Sequence, residues 1–332
     1  MTGVSRLQLP TPPSFHFWNT VCSHGWSILA PFAIDEDERT LTRVLELPGR
    51  RLVKAFISQG KRPRKLEARL WSSARLDSPQ RAEVKRQLAS CLRLEEDLSP
   101  FYRVLSAEPS LRSARRRGDG RLLRAPTLFE DVVKMICTTN CTWGQTRSMV
   151  QRLVDAYGTS DPVAGCSFPR PERMASGSES SFDRQVRAGY RSRYLYQIAS
   201  DVASGDLDLE SLRRERMDGE ELTRRLRALP GVGPYAAAGL QTLLGRYDRL
   251  AIDTACRKMF AERHRRGRRV SDRSIAKHYE RFGDYRGLVL WVELARHYQQ
   301  ASGNTSGLRE RSEPGSNGPT KGSGRGGGAP RQ

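Results

Sequence analysis

The segment LPGVGPYAAAGLQTLLGRYDRLAIDTACRKMF, residues 229–260, organises the reading of the whole chain. A helix ends near Leu229. Pro230 with Gly231 and Gly233 then makes a tight turn in which backbone can come close to a ligand. A second helix begins near Pro234 and carries small residues, Ala236 to Gly239, that permit close packing. Free N–H groups at such a helix start favour an anion, and a phosphate suits the charge of this chain. An ordinary interhelical turn is the plainer alternative. Downstream, the apolar Leu250-Ala251-Ile252 leads into Asp253, which opens another helical run. A carboxylate there can simply cap the helix.

The chain has 332 residues, with 57 Lys+Arg against 37 Asp+Glu, a formal charge of +20. A length of this order suggests two domains. The charge fits a polyanion or an anionic membrane surface and disfavours a strongly cationic ligand. Nothing approaches the ~20 apolar residues of a membrane span. The N-terminus, MTGVSRLQLPTPPSF, lacks the apolar core of a secretory signal. Six scattered cysteines form no C-x-x-C pair, and a reduced, intracellular protein is the expectation. Residues 302–332, rich in Gly, Ser, Pro and Arg, have no apolar periodicity and read as a disordered tail. That tail supplies only +3, so +17 belongs to the folded part.

Residues 39–71 show three period-2 runs: Leu41, Leu45 and Leu47; Val53, Ala55 and Ile57; Leu66, Ala68 and Leu70. Joined by short Gly/Pro connections, they predict an antiparallel sheet with one buried face. The aromatic stretch SFHFWNTVCSHGW, residues 14–26, is expected to add a strand or a covering element. From Ser78-Pro79, a predicted helix start, the period becomes helical. Helices are expected at about 127–156, 194–203, 219–228, 234–244, 253–263, 271–282 and 287–300. The predicted fold is therefore mainly α with a small antiparallel β part (α+β). A β domain occupies 1–77, a helical domain 78–301 and the tail 302–332.

With LPGVG, the small-residue helix and the spaced IDT in view, the chain resembles the helix-hairpin-helix DNA glycosylases. Within them it is most similar to the 8-oxoguanine and 3-methyladenine glycosylase II branch. The likeness continues through residues 128–158, down to GYR-x-RY in 187–200, and covers about 39–300. The antiparallel sheet fits that branch. No cysteine quartet follows Phe260, so no iron–sulfur cluster is expected.

The resemblance implies roles residue by residue. A glycosylase flips a nucleotide out of the duplex and breaks the bond between base and C1′. Asp253 matches the carboxylate that stabilises positive charge on the sugar and orients the attacking water. Tyr235 stands where strand-nicking members place a lysine that forms a Schiff base, which a phenol cannot do. Hydrolysis to an abasic site, without lyase action, follows. Gly231, Val232 and Gly233 would hold the DNA backbone. Asn140 matches an asparagine that fills the vacated gap, Tyr190 an aromatic wedge, and Arg191 an arginine on the orphaned base. Gln145 replaces a second such arginine. The polar pocket residues of 8-oxoguanine recognition become Leu290 and Leu294. An apolar pocket involving Trp143, Trp291 or Tyr235 would suit an electron-poor alkylated base.

Basic clusters fit a DNA partner: Arg115, Arg116 and Arg117 with Arg121 and Arg124; Arg213, Arg214 and Arg216; Arg224, Arg225 and Arg227; and RHRRGRR at 263–269. Together they predict a steep salt dependence. Cys137 and Cys141, one helical turn apart, read as packing, and the five histidines show no ligand spacing. No metal bound by side chains is expected. A monovalent cation on hairpin carbonyls is the one cofactor the resemblance allows. The expectation is thus a monomeric, monofunctional DNA glycosylase of base excision repair acting on double-stranded DNA with a damaged or mismatched base. It would work in the cytoplasm or nucleoid, or in a nucleus if the source is eukaryotic. A non-catalytic DNA-binding member of the same fold, with Asp253 only a cap, is the alternative.

Overall fold

The computed structural model describes residues 3–301, so the tail expected at 302–332 lies outside the described residues. Five strands form one antiparallel sheet: β1 (Gly3–Pro10), β2 (Phe32–Asp35), β3 (Thr40–Glu46), β4 (Leu52–Gln59) and β5 (Lys65–Ser72). Their order is β1-β5-β4-β3-β2. The three runs predicted from alternation are β3, β4 and β5. Leu41 pairs with Ile57 and Ile57 with Ala68, which puts the alternating apolar residues on one buried face. The edge strands β1 and β2 are additional to the prediction. The aromatic stretch 14–26 is a cover and not a strand: it holds a short helix, Phe17–Val21, and enters the turn Gly25–Ile28.

Nine helices carry the rest of the argument: α1 (Ser78–Cys91), α2 (Leu128–Cys137), α3 (Trp143–Tyr157), α4 (Ser192–Ser204), α5 (Gly219–Arg227), α6 (Pro234–Leu243), α7 (Thr254–Arg265), α8 (Asp272–Tyr279) and α9 (Arg286–Ala301). The start of α1 differs by one residue from expectation. Asp77 is the cap, and its carboxylate accepts from the Gln80 amide while Gln80 reaches back, a capping box. The helix predicted over 127–156 is interrupted. Asn140 takes a left-handed φ of 46°, and Thr142 with Gln145 caps a fresh helix, α3.

One apolar cluster contains Leu9, Ile57 and Leu70 of the sheet together with Val132, Val150 and Leu240 of the helices. Element type changes near residue 77, while the packing continues across it. A second cluster, including Phe260, Ile275 and Leu288, unites α7, α8 and α9. Sheet and helices are also tied by charge. Arg43 of β3 donates from its two terminal guanidinium nitrogens to the two carboxylate oxygens of Glu130 of α2, at 2.7 and 2.6 Å, and Lys134 meets the same carboxylate at 2.7 Å. All three are buried. Among the described residues, no helix is long and apolar enough to cross a membrane.

Candidate active site

The helix pair α5–α6 forms the hairpin. Asp218 caps α5 by accepting the Glu220 and Glu221 amides. Gly231 has φ +75°, and a Cβ there would lie 2.8 Å from the Tyr194 ring, so both conformation and space require glycine. Val232 tucks inward, its amide donating to the Leu229 carbonyl at 3.1 Å. Gly233 caps α6, and Pro234 takes the first helical position. The small face of α6 packs as its sequence predicts: a Cβ on Gly239 would come within 2.8 Å of the Met135 side chain of α2.

Asp253 is the cap of α7, its Oδ1 accepting the Cys256 amide at 2.7 Å. Its Oδ2 faces the Tyr235 hydroxyl at 3.4 Å. Capping therefore uses one carboxylate oxygen and leaves the other to accept the Tyr235 hydroxyl, and both residues line a cavity. That cavity, of about 210 Å³, is lined by Trp26, Trp143, Tyr235, Asp253, Trp291 and Leu294 among others. A larger groove of about 1320 Å³ adjoins it, bordered by Asn140, Tyr190, Gly231, Gly233, Arg257 and Lys258. Tyr235, Asp253 and Trp143 line both spaces, so the carboxylate stands where groove and cavity meet.

Of the residues proposed for a base pocket, Trp143, Trp291 and Leu294 line the cavity and Leu290 does not. On α9, positions 291, 294 and 298 share one face, and Leu290 points into the core of α7–α9 instead. Part of the wall comes from His24 to Trp26, in the aromatic stretch expected only to add a strand or a cover and given no role at the site. His24 packs edge-on against Trp26 and Trp291, with ring centroids 4.9 and 5.9 Å away. The Trp26 indole donates to Asp131 at 2.8 Å, and the Trp291 indole to the Ser23 carbonyl at 3.1 Å. Gly25 admits the Trp143 ring, which would lie 2.0 Å from a Cβ. The dense aromatics of residues 14–26 are the only sequence signal for this wall.

Asn140 and Tyr190 meet on the groove. Asn140 Nδ2 donates to the Tyr190 hydroxyl at 3.2 Å, and Tyr190 is half exposed. Arg191 takes a different task from the one expected. It is buried, donates to the Thr139 and Ala188 carbonyls, and packs over the Tyr190 ring at 4.5 Å. A guanidinium so engaged holds the loop that presents Asn140 and is not displayed toward the groove. Gln145 borders the groove, but its side-chain oxygen accepts the Thr142 amide at 2.8 Å in the capping box of α3.

The basic clusters also divide. Arg121 is buried and donates to the Arg93 and Glu96 carbonyls. Arg124 donates to the Ser90 carbonyl at 3.0 Å, and Arg213 pairs with buried Asp131 at 2.7 Å. These cations serve the interior. Arg224, Arg225 and the 265–269 run stay at the surface.

The chain matches no protein-family profile. A DNA-3-methyladenine glycosylase of Bacillus subtilis is 28% identical over 161 residues, 47% of this chain and 52% of that protein. The chain spans about half the length of the curated relatives it matches. Among solved structures, a 3-methyladenine DNA-glycosylase from Archaeoglobus fulgidus superposes with a TM-score of 0.69 at 18% identity, over 88% of this chain and 98% of that one. An 8-oxoguanine glycosylase/lyase from Clostridium acetobutylicum, in complex with double-stranded DNA, gives 0.66 at 18% identity, over 91% and 98%. Curated relatives and solved structures together point to the helix-hairpin-helix DNA glycosylases, and this chain carries their fold.

Proposed function

We propose that this chain is a DNA N-glycosylase that flips a damaged base out of duplex DNA and hydrolyses its glycosidic bond. The observation that supports this most is the position of Asp253, which lines both groove and cavity and has one oxygen outside the helix cap. The hairpin turn at Gly231–Gly233 would take the backbone phosphates. Tyr190 and Asn140 would fill the gap, and the base would enter the cavity. As the bond from C1′ to the base nitrogen breaks, positive charge grows on the sugar and Asp253 stabilises it. Water supplies the new C1′–O bond, its proton passing to the carboxylate. With a phenol at Tyr235 in place of an amine, no Schiff base forms, and the product is an abasic site on an unbroken strand.

The cavity walls favour an alkylated base. Trp26, Trp143, Trp291 and Tyr235 line the cavity with aromatic rings, which attract a base carrying positive charge. Excision on duplexes bearing alkylated purines, deaminated bases, oxidised purines or mismatches tests the proposal, with strands analysed before and after alkali. Alkali-dependent nicking confined to alkylated substrates is expected. Normal duplex affinity with no base released would favour a DNA-binding protein in which Asp253 only caps α7.

A further inference from the structure

Three side chains far apart in sequence converge on the side of α9 away from the cavity. His264 lies near the end of α7, His278 on α8 and Glu293 on α9. Each offers one donor atom, and the three donor atoms lie within 4.8 Å of one another. His264 Nε2 is 3.1 Å from Glu293 Oε2, close to the ~3.3 Å edge of a tetrahedron built on ~2.0 Å metal–ligand bonds. Glu293 is buried, and its Oε2 also accepts the Tyr279 hydroxyl at 2.5 Å. The His278 Nε2 atom is buried with no hydrogen-bond partner.

We propose that His264, His278 and Glu293 form a binding site for a divalent transition-metal ion of the zinc type, with water as the fourth ligand. Two imidazoles and a carboxylate are donors that such ions accept. An ordinary buried carboxylate network accounts for His264, Tyr279 and Arg263 around Glu293, but it leaves the His278 nitrogen idle. A cation between the three groups engages it. A shift of the His278 donor nitrogen by roughly an ångström or two closes the set from its 4.8 Å spread to ligating distances. Arg263, Arg265 and Arg281 stand nearby and make the site less attractive to a cation, so moderate affinity is expected.

The ion would join the three helices of the second apolar cluster. In sequence Glu293 lies between Trp291 and Leu294, which line the cavity, and His264 lies roughly 16 Å along the axis of α7 from its cap, Asp253. Metal binding would therefore brace the unit that carries one side of the site, independently of which reaction occurs there.

The test uses the full chain, stripped with a chelator and titrated with Zn²⁺ alone, bound metal being counted after equilibrium dialysis. One equivalent and a raised Tm are expected. Co²⁺ in its place should give the visible absorption of a four-coordinate nitrogen–oxygen site. His278→Asn and His264→Asn, both at partly exposed positions, should each weaken binding at least tenfold and remove the Co²⁺ band. Failure of the stripped wild type to take up Zn²⁺ at micromolar concentration would overturn the proposal. So would uptake that both variants retain in full, since the metal would then lie elsewhere.

Discussion

The Tyr235 hydroxyl lies 3.4 Å from Oδ2 of Asp253, while Oδ1 of the same carboxylate accepts the Cys256 amide at 2.7 Å. One residue thus terminates a helix and faces a cavity. Asp253→Asn separates the two tasks, because asparagine caps about as well as aspartate. Excision should fall by on the order of a hundredfold to a thousandfold or more, with Tm nearly unchanged. Asp253→Ala should lose the activity and also about 1 kcal/mol of stability. Single-turnover excision and thermal melts read the two effects. Undiminished excision by the asparagine variant would remove Asp253 from the chemistry.

The phenol at position 235 makes a second prediction. Borohydride treatment of wild-type protein with its damaged duplex should trap no covalent adduct, while Tyr235→Lys, placing an amine beside Asp253, should yield one. An adduct with wild type would show that another amine attacks C1′.

The Trp143 ring occupies the space above Gly25. Gly25→Ala should displace that ring and cut excision efficiency more than tenfold, with a smaller loss of stability that a melt would quantify. Equal excision by the variant would show that Trp143 does not shape the base site.

The buried set of Arg43, Glu130 and Lys134 predicts acid sensitivity. Burial alone would raise the Glu130 carboxyl, but Arg43 and Lys134 outweigh it and hold it below the usual carboxylate range. A depressed folded-state pKa contributes stability at pH above ~4.3 that is lost as pH falls through the folded value. Denaturant melts should show a decline below about pH 4.3 that is shallower in Glu130→Gln. That variant should be less stable at neutral pH by roughly 3–5 kcal/mol, because two buried cations lose their anion.

Thiol reactivity offers a check on the packing. Burial pushes the Cys22, Cys91 and Cys137 thiols up to about 12, whereas Cys141 and Cys166 are partly exposed. Ellman's reagent at neutral pH should modify Cys141 and Cys166 first, and all six only after unfolding. Because Cys141 lines the cavity, its modification should slow excision.

Much of this protein is legible from neighbours in sequence. The hairpin at 229–233, the small face of α6 and the cap at Asp253 depend on residues within one or two turns of each other. Alternation alone identified β3 to β5, because a period of two places leucine, alanine and isoleucine on one face. The break in the helix expected over 127–156 was also local in origin, a T-x-x-Q capping box at Thr142 and Gln145, but continuous apolar spacing masked it.

Other features exist only once distant segments meet. Arg191 reads as a match to an arginine on the orphaned base, whereas the fold turns it inward to the Thr139 carbonyl. Leu290 and Leu294 are equally apolar and both belong to the core of α7–α9, and only the rotation of α9 against its neighbours brings Leu294 also to the cavity wall. The wall from His24 to Trp26 meets Trp291 across more than two hundred residues, and His264, His278 and Glu293 come from three helices. Sequence by itself determined the helix-hairpin-helix and its aspartate, because turns and caps are short-range hydrogen-bonding patterns. The tertiary structure decided which cations are buried, what walls the cavity and which donors share a site. Those outcomes depend on packing between elements, which no local period encodes.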